Sequence, residues 1–209
     1  VDRALQRHLH PGDYVLLQIG ARRTHFATFW GCALGAIVPV TVAVPQDFAA
    51  QRSLAEKICG VHDNLVAARS CVVLTEDATL GGLRACLAEG SASPQPADVR
   101  SVEAMQRAAQ PAAPQQLPTI AAGDVLFLQL TSGSTGIPKC IQETHRGIVA
   151  HVRGSQLECG YAAGDVSLNW LPFDHVVPML TMHLRDIYVG MAQVQAPTAE
   201  VLGQPLLWL

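Results

Sequence analysis

Between Leu128 and His145 the chain reads LQLTSGSTGIPKCIQETH, and this stretch carries the side chains best suited to chemistry. Directly after an apolar run, Thr131, Ser132, Gly133, Ser134, Thr135 and Gly136 are all small, and four of them bear hydroxyls. Gly133 and Gly136 allow φ > 0 and a close approach of backbone to ligand. Successive N–H groups in such a loop form an anion-binding nest. The hydroxyls add donors, Lys139 adds a cation shortly after Gly136, and Pro138 stiffens the exit. Together these suit a polyphosphate. The competing reading is a flexible Ser/Gly turn that binds nothing; the residue order, the preceding strand and the Pro-Lys exit weigh against it. A Walker A loop needs G-x-x-x-x-G-K-[ST]. Counted from Gly133, Pro138 stands where its second glycine would be and Cys140 where its hydroxyl would be, so that pattern fails. A nucleophile elbow, G-x-S-x-G, fails at Ser132.

The elements that must position this loop follow from hydrophobic periodicity. Tyr14 to Ile19 and Val38 to Val44 read as strands, and Pro11-Gly12-Asp13 as a turn. Phe26, Phe29, Trp30, Ala33, Leu34 and Ile37 form one helical stripe between the strands, and Leu54, Ile58, Val61 and Leu65 a second one after them. Cys71 to Leu74 is a strand and Leu80 to Leu87 a helix. Asp124 to Leu130 is a buried strand that runs straight into the loop. Then come a strand (Cys140 to Glu143), a helix (His145 to Leu157), a strand (Val166 to Trp170), a helix (Val176 to Val189) and a strand (Ala192 to Ala196). Asp2 to His8 reads as a helix end and Pro205 to Leu209 as a helical start. Strands alternating with helices predict an α/β fold, a mostly parallel sheet flanked by helices. The expected division is a first α/β subregion over 1–90, a Pro/Ala/Ser-rich crossing over 91–119 with one short helix near Val102 to Ala108, and a second subregion over 120–209 with the loop.

Of the 209 residues 49% are hydrophobic and 15% charged, with a net charge of −3. Soluble domains average about 25% charged residues, so little of this chain is built to face water, as in a slice of a larger domain. No basic stripe marks a nucleic-acid partner, and no apolar run is long enough for a membrane span. Six cysteines, none paired as CxxC or set near histidines at zinc-ligand spacing, predict reduced core thiols in a cytoplasmic protein and no metal site. His151 and His183 read as structural histidines, and Arg185-Asp186 as a solvated or helix-packing pair. A chain that begins at Val1 rather than Met reads as an excision from a longer polypeptide.

TSGSTGIPK resembles the phosphate-binding signature of the adenylate-forming superfamily of acyl-CoA synthetases, fatty-acyl-AMP ligases and peptide-synthetase adenylation domains. Cys140 stands where the family usually has Gly, and Thr144-His145 where it often has a Ser/Thr-His pair. GDYVLLQIG with FWGCALGAIVPVTV resembles the family's first strand, helix and strand, and Leu171-Pro172-Phe173-Asp174-His175 its LPxxH motif beside the acyl pocket. NWLPFDHVVPMLTMHLRDIYVGMAQVQAP is similar to the acyl-ligase loading domains of hybrid polyketide synthase and nonribosomal peptide synthetase assemblies. The resemblance implies an incomplete N-terminal part of the large domain, with the adenine- and ribose-binding motifs and the small C-terminal domain beyond residue 209, so the chain alone is expected to be inactive, an excised scaffold or weak phosphate binder. For the parent it implies ATP with Mg2+, attack of a carboxylate on the α-phosphate, and transfer of the acyl group to a thiol of phosphopantetheine on an acyl or peptidyl carrier protein, or of CoA. Thr131, Ser132, Gly133, Ser134, Thr135, Gly136 and Lys139 would hold phosphates. His175 would shape the reacting site, making Lys139 and His175 the catalytic candidates. Amino-acid-activating relatives usually carry an Asp after this His. Here Val176 would leave an α-ammonium unpaired, which costs several kcal/mol when buried, so a fatty, hydroxy or aryl acid is expected.

Overall fold

The computed structural model describes residues 9–45, 48–67, 69–89, 99–108, 116–131 and 139–208, with the side chains of 48–51 and 208 left aside. Strand β1 (Tyr14–Gln18) is buried at every residue after Tyr14, whichever face the side chain takes. Such a strand needs cover on both sides, which parallel strands joined by helical crossovers supply. β1 pairs in parallel with β2 (Val38–Thr41) on one side and β3 (Cys71–Thr75) on the other. With β4 (Val99–Ser101), β5 (Val125–Thr131) and β6 (Lys139–Thr144) the sheet has the order β4-β3-β1-β2-β5-β6. β2–β5 and β3–β4 are parallel as well. The mostly parallel sheet agrees with the sequence. β4 was missed, because three residues inside a Pro/Ala/Ser-rich stretch carry no periodicity of their own.

Helix α1 (Arg22–Leu34) buries His25, Thr28, Phe29, Cys32 and Ala33. Phe29 is fully buried and meets Phe127 of β5 edge-on at 5.8 Å. The expected stripe ran too far: Leu34 is half exposed, and Ile37 lies beyond the helix. The chain breaks at Gly35-Ala36, where Ala36 takes φ 54° and Ile37 N–H returns to the Cys32 carbonyl at 2.9 Å. Gly12, at φ 89°, makes the expected turn before β1, with the Arg69 guanidinium packed where a Cβ would sit. Helices α2 (Phe48–Val66), α3 (Asp77–Ala88) and α4 (Val102–Ala108) follow. Ile58, Val61 and Leu65 of α2 and Leu83, Cys86 and Leu87 of α3 join Leu16, Val40 and Val73 in one apolar cluster. Cys32, Cys59, Cys71 and Cys86 are buried thiols, whereas Cys140 is half-buried and Cys159 exposed. The expectation of six core cysteines is therefore corrected at Cys159, on the solvent side of its helix. None of the described helices is long and apolar enough to cross a membrane.

Contacts divide the chain after Gln142 into units of residues 1–142 and 143–209. The sequence division had put β5 in the later subregion; its pairing with β2 at Val40–Leu128 places it in the first unit's sheet. The second unit opens with α5 (His145–Cys159), whose first turn is capped by Thr144 Oγ1 accepting from Gly147 N–H and whose end is closed by Gly160 at φ 70°. β7 (Val166–Asn169) and β8 (Ala192–Gln195) pair in parallel. Between them the expected single helix from Val176 to Val189 is instead a π-helix, Val177–Leu184, followed by α6 (Arg185–Val189). Pro178 has no N–H to give, and Thr181 Oγ1 donates to the Val177 carbonyl at 2.6 Å, so the first turn does not need α-helical pairing. Met179, Leu180, His183 and Leu184 are among the buried residues of the π-helix. α7 (Thr198–Gly203) and a 3₁₀ turn (Pro205–Trp208) follow.

The second unit buries charge. Arg185 pairs with Asp186 Oδ1 through Nη2 at 2.6 Å and Nε at 2.7 Å, and its guanidinium lies 4.1 Å over the Tyr161 ring. Ser167 Oγ donates to the other oxygen of Asp186, which is fully buried. The pair is thus a packing pair rather than a solvated one. Asp186→Ala would strand a buried guanidinium, and removing one partner of such a pair costs about 3–5 kcal/mol. Denaturant unfolding of the intact protein is expected to show a loss of that order; under about 1 kcal/mol would mean water reaches the pair. His183 is buried too, with Gln193 Oε1 at 2.9 Å from Nδ1. Burial pushes its pKa below the usual 6.5, while Gln193 and Asp186 pull it back up. The folded unit therefore refuses a proton that the unfolded chain accepts below pH 6.5. This increment of stability is complete above pH 6.5 and is lost as pH falls through the lowered folded value. Between pH 6.5 and 5.5 the protein is expected to lose stability more steeply than its His183→Asn variant, by at most about 1.4 kcal/mol per pH unit. Parallel slopes would show a solvated His183.

Candidate functional site

Because β1, β2, β3 and β5 run parallel, their carboxyl ends share one edge, the edge at which open α/β sheets hold ligands. Thr131 closes β5 there, half-buried. Lys139, exposed, opens the next strand, β6, which is hydrogen-bonded beside β5. Ser132, Gly133, Ser134, Thr135 and Gly136 lie outside the described residues, as does Pro138. The two ends that are described thus put a hydroxyl and a cation on adjacent strands. Burial raises the pKa of the neighbouring Cys140 thiol, which keeps it protonated and free of the negative charge that would oppose an anion.

A second anion-binding arrangement at this edge is filled by the protein itself. Glu76, just after β3, accepts Gly20 N–H at 2.8 Å and Ala21 N–H at 3.1 Å, at the amino end of α1. A helix amino end favours negative charge, and here the side chain supplies it. Thr75 Oγ1 beside it donates toward the Gln18 backbone and side-chain oxygens and meets Thr79 Oγ1 at 2.6 Å. Sequence reasoning missed Glu76, since a contact across 55 residues leaves no local spacing.

In the second unit, Leu171 to His175 leaves the carboxyl end of β7. Asn169, the buried last residue of β7, holds Leu171 from both sides: its Oδ1 accepts Leu171 N–H at 3.1 Å and its Nδ2 donates to the Leu171 carbonyl at 3.2 Å. His175 N–H turns back to the Pro172 carbonyl at 3.4 Å. Phe173 is buried, while His175 and Val176 are exposed at the head of the π-helix. Thr131 and Lys139 therefore belong to the first unit, His175 and Val176 to the second. Among the described residues no group of three or more His, Cys, Asp or Glu side chains could hold a metal ion. Asn169 was not anticipated; an Asn ending a β-rich run just before Trp-Leu-Pro is the one signal that could have marked it.

Known proteins share this architecture and sequence. Over 201 residues the chain is 25% identical to nonribosomal peptide synthetase apvA of Aspergillus terreus, covering 96% of this chain and 21% of that protein. McyG A-PCP complexed with phenylalanyl-adenylate superposes with a TM-score of 0.89 at 28% identity, over 99% of this chain and 32% of that one. The adenylation domain of a keto acid-selecting nonribosomal peptide synthetase module, bound to keto acyl adenylate, gives a TM-score of 0.77 at 30% identity, over 99% and 36%. The chain thus spans about a fifth to a third of the length of these relatives. The model of the AMP-binding enzyme family matches residues 3–208, nearly the entire chain, and the chain belongs to that adenylate-forming family.

Proposed function

We propose that the protein containing this chain activates a carboxylic acid with ATP and hands the acyl group to a thiol. The observation that carries the reading is the sequence TSGSTGIPK, set between Thr131 at the carboxyl end of β5 and Lys139 at the start of β6, in a family that forms adenylates. A carboxylate oxygen attacks the α-phosphorus, the bond from that phosphorus to the bridging oxygen breaks, and pyrophosphate leaves with the electron pair. Thr131, Ser132, Gly133, Ser134, Thr135, Gly136 and Lys139 hold the β- and γ-phosphates, and positioned donors there offset the charge of the leaving group. Mg2+ bound with the nucleotide supplies further positive charge. His175 lines the meeting point of carboxylate and α-phosphate. The acceptor is phosphopantetheine on a carrier protein or CoA; the peptide synthetase relative and the A-PCP structure favour the carrier.

Val176 beside His175 offers an α-ammonium no counter-charge. The acid is therefore fatty, hydroxy or aryl, and the keto acyl adenylate of one structural relative is another acid of this ammonium-free kind. The phenylalanyl-adenylate of another pulls the opposite way. Because the chain spans a minor part of each relative, we also propose that these 209 residues by themselves bind phosphate weakly and do not catalyse.

Lys139→Ala in the intact protein is expected to slow acid-dependent ATP–pyrophosphate exchange by about 10²–10³. Its melting temperature should hardly move, since removing an exposed lysine changes stability by under about 0.5 kcal/mol. Unchanged exchange would leave the phosphates to the backbone N–H groups. For acids of one carbon skeleton, the hydroxy, keto or unsubstituted form should exceed the α-amino form in kcat/KM by at least about tenfold, if the bound acid closes over Val176 and leaves an ammonium there unpaired. A preference for the amino acid would sink the assignment of Val176.

A further inference from the structure

The Leu171–His175 loop is held by more than the strand it leaves. Asn169 Nδ2, besides its bond to Leu171, donates to Gln195 Oε1 at 3.1 Å. Asn169 and Gln195 stand opposite each other in the β7–β8 register. Gln195 Nε2 reaches Gln193 Oε1 at 3.4 Å, and Gln193 Nε2 donates to the His183 backbone carbonyl at 3.0 Å. His183 Nδ1 then closes on Gln193 Oε1 at 2.9 Å. The imidazole also meets the ring of Phe173, inside the loop, edge to face at 6.0 Å.

Backbone groups at the two ends set the direction of every amide. Leu171 N–H requires Asn169 Oδ1 to face it, which turns Nδ2 to Gln195 Oε1 and so Gln195 Nε2 to Gln193 Oε1. The His183 carbonyl independently requires Gln193 Nε2, which leaves Gln193 Oε1 toward the ring. Since Oε1 cannot donate, His183 Nδ1 must carry the proton. A flip of any one amide would set donor against donor, so the chain is consistent in one sense alone.

Resting on the acid-activating role given above to the Leu171–His175 loop, we propose that His183 is a positioning residue for that loop, acting through Gln193, Gln195 and Asn169 on the Leu171 peptide groups and through its ring on Phe173. A histidine that merely filled space would not need one tautomer or a chain of directed amides. His183 touches no reacting atom; it fixes the backbone from which His175 emerges. Arg185 and Asp186, the charged pair on the adjoining helix, hold each other.

Three variants of the intact protein test this. His183→Phe keeps a ring against Phe173 and removes the Nδ1 donor. His183→Asn restores a donor near the Nδ1 position. Gln195→Met breaks the chain away from His183. Amide hydrogen exchange over residues 171–175 should quicken by about tenfold in His183→Phe and Gln195→Met, as the loss of one hydrogen bond allows, with β7 and β8 unchanged. His183→Asn should stay near the parent. The double variant should be no worse than the worse single one, because both cut one network. In acid-dependent pyrophosphate exchange the KM for the acid should rise by a similar factor of about ten, with the KM for ATP unmoved. Imidazole ¹⁵N shifts should report the Nδ1–H tautomer. Unchanged amide exchange in both chain-breaking variants, an Nε2–H tautomer, or His183→Asn behaving like His183→Phe would each overturn the proposal. Absence of acid-dependent exchange in the unaltered protein would instead remove the acid-activating reading, and amide exchange would still decide the positioning role.

Discussion

Burial of both sheet faces is the constraint on which the first unit depends. In β1 and β3 the residues are buried without alternation, so neither strand has a wet side on which polar groups could be placed. In these two strands the side chains that meet polar partners stand at the ends. Gln18 and Thr75 end β1 and β3 and hydrogen-bond to one another, and Thr41 at the end of β2 meets His25 Nε2 at 3.0 Å. Because these strands are parallel, their ends are the same end. The sheet thus collects polar chemistry along one edge before any ligand is considered, and Thr131 joins it from β5.

The second unit meets a different constraint. Polar networks hold its two strands against the helices beside them. A buried ion pair such as Arg185–Asp186 is weak evidence for stability, since its desolvation offsets much of its attraction. What it supplies is a direction: Asp186 must face Arg185 on one side and Ser167 of β7 on the other, so α6 has one rotation against the strand. The amide chain from His183 to Leu171 adds direction of the same kind to the loop. Fully satisfied networks specify one arrangement, while half-satisfied ones are costly. The loop before His175 is tied in both ways, by the amides of Asn169 and by the buried ring of Phe173.

The legible part of the structure was local. Periodicity and turn chemistry placed β1, β2, β3, β5 and β6 and the helices between them to within a few residues, and even the short α4, because each carries its own pattern over several positions. The segment from Thr131 to Lys139 stood out for the same reason: its residue types are adjacent. What sequence could not supply was partnership across distance. Val99–Ser101 is a strand because β3 lies beside it, and the burial of Arg185–Asp186 depends on Tyr161 and Ser167. The π-helix escaped because its apolar residues satisfy an α-helical stripe almost as well. Glu76, Asn169, Gln193 and Gln195 are ordinary polar residues in sequence, and acquire meaning from the backbone groups they reach.

Glu76 also bears on why we propose phosphate binding for the segment after β5 and not for the one after β1. Both follow a buried parallel strand and leave it at the same edge. Gly20 and Ala21 precede α1 with their N–H groups directed at Glu76, an arrangement of the kind that holds anions at helix amino ends. A carboxylate supplied from β3 takes both N–H groups and adds a negative charge at that point. A polyphosphate there would have to displace Glu76 and also face its charge. After β5 the chain supplies hydroxyls and Lys139 instead, and the adjacent thiol of Cys140 is held protonated by burial. One edge of one sheet therefore carries an anion site that Glu76 fills, beside the exit of β5 at Thr131. Parallel pairing supplies the edge, and side-chain charge distinguishes the two exits along it.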